Sequence, residues 1–443
     1  MKNKILDFLN NKSILILGFG REGKSTYSLI REKYKDINIG IADIKEINDE
    51  EVLNDENVSY YFGDKYLDAC YNYDVIIKGP GVIIKDYLPD EVKAKITCQT
   101  DLFVRYCPCK TIGITGTKGK STTSSLMYHI LKSIGKKSVL MGNIGIPVFD
   151  TIDSLDDDTI CVMELGCHQL EYMKSSPNIS VILDVYEEHL DHYIDFNHYV
   201  DAKKNIYKFQ KKNDYIILGD SPLLKDDNIN SISLIENVDF KMDDTNFTIV
   251  NDVIPINKIS TKLEGRHNLY NILVCLTIIK ILGYDIDESI KAISTFNGLS
   301  HRMEYFGKYK DIYFYDDSIA TSCESVIFAV EALKKVDTII IGGMERNIDY
   351  TKLVSFLNNS EVNNILLLPD TNTRIKRMFD DLNSNKNVVI VNNMEDAVAR
   401  AYNLTEKGKI CILSPAAASY NMYKNFEQRG DHFKEIVIKF GKW

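Results

Sequence analysis

The 443-residue sequence has no apolar run near the ~18–20 residues that a bilayer-spanning helix needs, which argues against an integral helical membrane protein. Its opening, Met1-Lys-Asn-Lys-Ile-Leu-Asp-Phe-Leu-Asn-Asn-Lys12, breaks a short apolar stretch with charges and has no small-residue cleavage site, so it does not read as a signal peptide. Basic residues are in deficit: 53 Lys and Arg against 63 Asp and Glu give a formal net charge of −10. That balance disfavours a general nucleic-acid or acidic-membrane binder and leaves room only for local basic pockets. Internal repeats and low-complexity segments are lacking. Cysteines number nine, an odd and scattered set, and most lie in apolar runs. Only Cys107-Pro-Cys109 forms a close pair, and no second pair completes a zinc site, so buried reduced thiols are expected. Together these features predict a soluble, cytoplasmic protein.

Hydrophobic residues at 44% and charged residues at 26% are ordinary globular usage, and the length suggests about three domains. Short β-rich apolar runs recur, each followed by a turn and an amphipathic helical stretch. They are Ser13–Leu17, Asp74–Ile77, Thr111–Ile114, Ile160–Met163, Ser180–Leu183, Thr338–Ile341, Asn364–Leu368, Asn387–Val391 and Lys409–Leu413. Continuous apolar strands alternating with helices predict an α/β protein with several parallel sheets, each covered on both faces. Ligands in such sheets bind at the carboxyl ends of the strands, where the unusual residues of this sequence cluster.

Two glycine loops carry the chemistry. Gly18-Phe-Gly20-Arg-Glu-Gly23 follows a predicted strand and opens a helix, and Asp43 ends the next strand 20 residues after Gly23. This fits a dinucleotide-type fingerprint, in which glycines allow a tight turn and the helix N-terminus attracts a pyrophosphate. The motif does not separate a nicotinamide nucleotide from a UDP-linked ligand, and a ligand-free strand–helix turn has the same outline. Gly79-Pro-Gly81 adds a turn at the same sheet edge. The second loop, Gly113-Ile-Thr-Gly116-Thr-Lys-Gly119-Lys120-Ser121-Thr122, resembles a phosphate-binding loop, with five residues rather than four between Gly113 and Gly119. Its amides would cradle phosphates, Lys120 would neutralise β/γ oxygens and Ser121 would hold magnesium. An enzyme that uses ATP on a nucleotide-linked substrate needs both loops.

The later motifs fall in a recognisable order: Glu164-Leu-Gly-Cys-His-Gln-Leu-Glu171, Glu188-His189-Leu-Asp191, Lys203, Gly265-Arg-His267-Asn268, His301-Arg302-Met-Glu304, Asp316-Asp317-Ser318 and Ser414–Gly430. With the Gly113–Thr122 loop, this set resembles the Mur ligases, the ATP-dependent amide ligases of peptidoglycan precursor synthesis, over essentially the whole chain. The tail Ser414-Pro-Ala-Ala-Ala-Ser419 through Phe426-Glu-Gln-Arg-Gly430 is most similar to the family's glutamate-adding members. The resemblance implies three domains: a Rossmann-like UDP-substrate domain at 1–99, a central P-loop-type ATPase domain at 100–299 and a Rossmann-like amino-acid domain at 300–443.

The resemblance also implies roles. UDP-N-acetylmuramoyl-L-alanine would meet Gly18, Gly20, Gly23, Asp43, Gly81 and Asn143. ATP would be held by Gly116, Thr117, Gly119, Lys120, Ser121, Thr122, Asn268, Arg302 and Asp317. Mg²⁺ would be bound by Ser121, Glu164 and His189, with Lys203 at the position of the family's carbamylated lysine. Lys120, His189 and Lys203 would be catalytic. Thr321, Arg346, Ser419 and Phe426 would receive glutamate, and the expected form is a monomer. Lys204 is a neighbouring decoy, and His267 reads as a structural hydrogen bonder.

Three positions depart from the family pattern: Lys118 replaces an asparagine, Ile319 replaces a lysine, and Arg346 replaces a lysine. The last two leave D- and L-glutamate both open, with D-glutamate favoured by the intact tail. A folylpolyglutamate-type ligase is disfavoured by the N-terminal loop and the tail. A non-catalytic regulator is disfavoured by the presence of Lys120, Glu164, His189 and Lys203, and a dehydrogenase by the second loop.

Overall fold

The computed structural model describes residues 1–47, 49–85, 87–143, 147–186, 192–219, 236–237, 240–249, 252–263, 265–346 and 348–442. The chain divides into two compact units, Met1–Phe296 and Asn297–Trp443.

In the first unit, the apolar runs near the N-terminus form a five-stranded parallel sheet. Its order is Val58–Phe62, Ile39–Asp43, Ile14–Leu17, Val75–Lys78, Ile96–Thr97. Every residue of Ile14–Leu17 is fully buried, as a central strand covered on both faces requires. The strand order reverses between Ile14–Leu17 and Val75–Lys78, so the crevice of this sheet opens beside Gly18 and Gly79.

A second sheet in the same unit has the order Glu236–Asn237, Tyr215–Leu218, Ile179–Ile182, Lys110–Thr115, Ile160–Glu164, Ser138–Gly142, and all its pairings are parallel. The helix Lys120–Ser133 packs Leu126, Met127, Ile130 and Leu131 into one core with the apolar helix Arg266–Ile281. The helix Phe196–Lys208 starts at an N-cap, Asp195, whose side chain accepts from the His198 amide.

Two elements depart from an all-parallel reading. Phe240–Met242, Asn246–Ile249 and Asp252–Pro255 make a small antiparallel sheet. In the second unit, Glu304–Tyr309 pairs antiparallel with Ile312–Asp316, although the rest of that six-stranded sheet is parallel. Ile312–Asp316 alternates buried and half-buried residues and Glu304–Tyr309 buries none fully, the pattern of an edge hairpin rather than of a covered central strand. The second unit's order is Glu304–Tyr309, Ile312–Asp316, Ile410–Leu413, Val336–Ile341, Asn364–Leu367, Asn387–Ile390. Among the described residues no helix is long and apolar enough to cross a membrane.

Candidate functional site

The first glycine loop is packed too closely at Gly18 and Gly23 to admit a side chain. A Cβ on Gly23 would sit 2.3 Å from the Gly18 carbonyl oxygen, and one on Gly18, itself at φ +91°, would sit 2.7 Å from Val82. Gly20 and Gly81 face open space and are exposed, so they leave room for a ligand rather than for packing. Asp43 is turned inward: one carboxylate oxygen accepts from the Phe19 amide (2.7 Å) and the other from the Lys45 amide (3.0 Å). Its place at the strand end matches the sequence reading, and its present work is to fix the glycine loop.

The segment after Ile160–Glu164 returns to this sheet edge. Gln169 donates to the Glu22 carboxylate (2.9 Å), and the Lys78 ammonium lies 3.5 Å from Glu171, which also meets His192 at 3.3 Å. Burial disfavours the charged form of both, pushing the Glu22 carboxyl above its ordinary range and the Lys78 ammonium below its own.

The second loop leaves Lys110–Thr115 and enters the helix Lys120–Ser133. Gly119, the N-cap, adopts φ +85° and no side chain caps the helix, so the first-turn amides face outward as an anion cradle. Thr117 anchors the loop: its amide donates to Asp184 O (2.9 Å), and its hydroxyl accepts from the Tyr186 amide (2.9 Å) and meets Tyr199 OH at 2.9 Å. Lys120 folds back to donate to Gly116 O and Thr117 O, both at 2.9 Å. Lys203, 1% exposed, donates to the same Gly116 oxygen at 2.9 Å and lies 4.7 Å from the centre of the Tyr199 ring. Two ammonium groups on one carbonyl lie within about 6 Å of each other, a range at which like charges oppose one another and an anion between them is favoured. Lys204, by contrast, is half-buried on the neighbouring helix face.

Glu164 ends the strand beside the loop strand and is 1% exposed. Asn143 clamps it, donating from its amide side chain to one carboxylate oxygen (2.8 Å) and from its backbone to Glu164 O (2.8 Å). The other oxygen, Oε2, is buried with no hydrogen-bond partner among the described residues. A buried carboxylate oxygen without a donor is costly, and a divalent cation would satisfy it. Ser121 is buried and Thr122 half-buried in the first helical turn. The donor set therefore fits Mg²⁺. His189 lies outside the described residues.

Asn268 is tied to the loop through Asn271, which donates to Asn268 Oδ1 (3.2 Å) and presses on Gly119, where a Cβ would be 2.9 Å from Asn271 Oδ1. His267 packs its ring against Gly265, the N-cap of its helix, and burial lowers its ionisation. Asn271 and Tyr199 escaped the sequence reading. Their signal was helical spacing, one turn from Asn268 and Lys203 respectively.

In the second unit, Asp317 sits at a strand end, 4% exposed, accepting from Ser414 Oγ (2.6 Å) and the Met303 amide (3.1 Å). Burial pushes its carboxyl up to about 7. Arg302 is exposed beside it. His301, at φ +62°, meets Asp316 Oδ2 at 2.7 Å; burial opposes its charge, but Asp316 outweighs burial and raises its ionisation. Gly430 is fixed by this contact, since a Cβ there would be 2.2 Å from His301 Nδ1.

Arg429 is the largest fully buried side chain in the molecule's described part and donates to Ser318 Oγ (3.0 Å), Ser318 O (2.8 Å) and Ala417 O (3.0 Å). It joins the loop leading to Thr321, which is exposed, to the loop leading to Ser419, which is buried. Phe426 is half-buried and packs edge-on to His301, while Arg346 is exposed, with its guanidinium 5.5 Å from the Tyr420 ring centre.

Residues 114–279 match the Mur ligase middle domain, and residues 301–417 match the glutamate ligase domain of Mur ligases. The chain is 34% identical to the UDP-N-acetylmuramoylalanine–D-glutamate ligase of Clostridium botulinum (strain Loch Maree), with 98% of each chain covered. In fold it is similar to the UDP-N-acetylmuramate–alanine ligase MurC of Thermotoga maritima (TM-score 0.56, 20% identity, 97% of this chain and 100% of that one). It is also similar to MurF of Acinetobacter baumannii (TM-score 0.57, 15% identity, 98% and 92%). The chain belongs to the Mur ligase family.

Proposed function

We propose that this protein is an ATP-dependent ligase that joins D-glutamate to the alanyl carboxylate of UDP-N-acetylmuramoyl-L-alanine, releasing ADP and phosphate, in peptidoglycan precursor synthesis. The observation that carries this reading is the convergence of Lys120 and Lys203 on the Gly116 carbonyl, in the sheet whose next strand ends at the orphaned Glu164 oxygen. A carboxylate and a triphosphate can meet only where cations offset their repulsion.

In this reading residues 1–99 take the UDP-linked substrate at Gly18, Gly20, Gly23, Asp43 and Gly81, with Asn143 reaching it from the next sheet. Residues 100–299 hold ATP through Gly116, Thr117, Gly119, Lys120, Ser121, Thr122 and Asn268. Residues 300–443 contribute Arg302 and Asp317 to ATP, and Thr321, Arg346, Ser419 and Phe426 to glutamate. Lys120 steadies the β/γ phosphates as the alanyl carboxylate oxygen attacks the γ-phosphorus and ADP leaves. The glutamate amine then attacks the acyl carbon, phosphate departs with that oxygen, and the amine proton passes to solvent or a nearby base. Ser121, Glu164 and His189 would hold Mg²⁺, which would supply charge neutralisation at the phosphates. Lys203 would take CO₂ as a carbamate, which would turn a cation into an anionic ligand for the metal. We assign the enzyme to the cytoplasm and to a monomeric working form.

Ile319 and Arg346 favour a second reading in which the same chemistry uses L-glutamate, since both replace lysines of the family's pattern in the residues assigned to the amino acid. Product mass after incubation with ATP, Mg²⁺, UDP-N-acetylmuramoyl-L-alanine and either glutamate enantiomer separates the two. Amide with D-glutamate alone supports the first reading, amide with L-glutamate alone the second, and amide with neither overturns both.

A further inference from the structure

The sequence offers Cys107-Pro-Cys109 without a second pair, and the fold supplies a third thiol. Cys107 closes the helix Gln99–Tyr106 as its C-cap, Cys109 directly precedes the strand Lys110–Thr115, and Cys161 is the second residue of Ile160–Glu164, in register with Thr111. The three Sγ atoms all lie within 4.8 Å of one another. Zinc–sulfur bonds of about 2.3 Å place the sulfurs of a zinc site about 3.8–4.0 Å apart, so these side chains need only small rotations to converge on one ion. A disulfide, with sulfurs about 2.05 Å apart, would use two of the thiols and strand the third.

Exposure is graded. Cys161 and Cys109 are 0% and 4% exposed and Cys107 is half-buried, which leaves one side of the cluster open for entry and for a fourth ligand. Three thiolates in a buried pocket carry an excess charge that a divalent ion reduces to about −1, whereas a monovalent one leaves about −2.

We propose that Cys107, Cys109 and Cys161 form a three-thiolate site for a soft divalent d¹⁰ ion, Zn²⁺ in the cell, with its fourth position open on the Cys107 side. Binding replaces three S–H bonds with three S–Zn bonds and delivers the protons to water, with no change of oxidation state. The ion would staple the end of the helix Gln99–Tyr106 to two adjacent strands of the second sheet. One of these, Ile160–Glu164, ends three residues (about 10 Å) later at Glu164. The site thus fixes the root of the strand that presents this carboxylate.

Cd²⁺ is the probe, because its thiolate charge-transfer absorption reports sulfur ligation directly. Reduced, metal-free protein in excess Mg²⁺, which occupies oxygen-ligand sites, is titrated with Cd²⁺ and then with Zn²⁺ in competition. The expected result is a band that saturates at one equivalent and is displaced by Zn²⁺. Cys107→Ser and Cys161→Ala should weaken it at least 100-fold, while Cys70→Ala leaves it intact. Zn²⁺ should also raise the unfolding temperature of the unaltered protein and not that of Cys107→Ser. Cys107→Ser is the deciding variant, because its half-exposed position keeps the fold without metal. No band at one equivalent, or a band that survives Cys107→Ser, overturns the proposal.

Discussion

Arg429 gives the sharpest test of how the second unit is held. Its guanidinium is buried, makes three hydrogen bonds to two loops, and is depressed to about 10 by desolvation. Three hydrogen bonds from a charged donor at about 2 kcal/mol each contribute about 6 kcal/mol, and the lowered ionisation marks a desolvation cost of about 3 kcal/mol. The difference predicts that Arg429→Met destabilises the protein by about 3 kcal/mol, with Ser318 O and Ala417 O left unpaired. Because those carbonyls belong to the loops leading to Thr321 and Ser419, the KM for glutamate should rise roughly tenfold or more, while the KM for ATP changes less. Arg429→Lys should rescue little, since one ammonium cannot reproduce a planar fork that reaches both loops. Urea unfolding and steady-state kinetics with each substrate varied are the assays. A loss of stability below 1 kcal/mol together with an unchanged glutamate KM would refute the reasoning.

Lys203→Gln should lower kcat by roughly 100-fold or more and Lys204→Gln by less than about threefold, because the buried Lys203 side chain donates to the loop carbonyl; initial rates at saturating substrates decide this. Glu164→Gln keeps the Asn143 contact but removes the charge, so the Mg²⁺ concentration for half-maximal rate should rise about tenfold. Asp317 titrates near 7 in the folded state against 3.8 in the unfolded one, so the native protein holds the extra proton between those values and stability falls as pH rises through them. From about pH 5 to about pH 8 its contribution falls by about 3 kcal/mol, and urea midpoints should show this slope flattened in Asp317→Asn. Gly23→Ala forces a Cβ against the Gly18 carbonyl and should cost about 1–3 kcal/mol while raising the KM for the UDP-linked substrate, read by the same unfolding and kinetic assays.

How much of this was legible in the sequence depended on the range of the interaction. The two glycine loops and the parallel strands were readable, because turn chemistry and apolar runs are local signals. The register of Lys203 over Lys204 came from motif order; its cause, a helix face carrying Tyr199 and Lys203 toward the Gly116 carbonyl, is tertiary. Asn271 lay one turn from a residue already singled out, yet only packing against Gly119 gives it meaning. Arg429 read as part of a tail motif, but nothing local says that it is buried with carbonyls as partners. Cys161 could not be joined to Cys107 and Cys109, because more than fifty residues and a strand pairing separate them. The small antiparallel sheet was missed for a different reason: its strands have at most four residues each, too few for their alternation to stand out.

The most direct test of the central account follows the oxygen. With ¹⁸O in the alanyl carboxylate of UDP-N-acetylmuramoyl-L-alanine, turnover with ATP and D-glutamate should deliver one labelled oxygen to the released inorganic phosphate, as attack of that carboxylate on the γ-phosphorus requires. Amide formed with unlabelled phosphate would contradict the acyl-phosphate route, and with it the roles given to Lys120, Lys203 and Glu164.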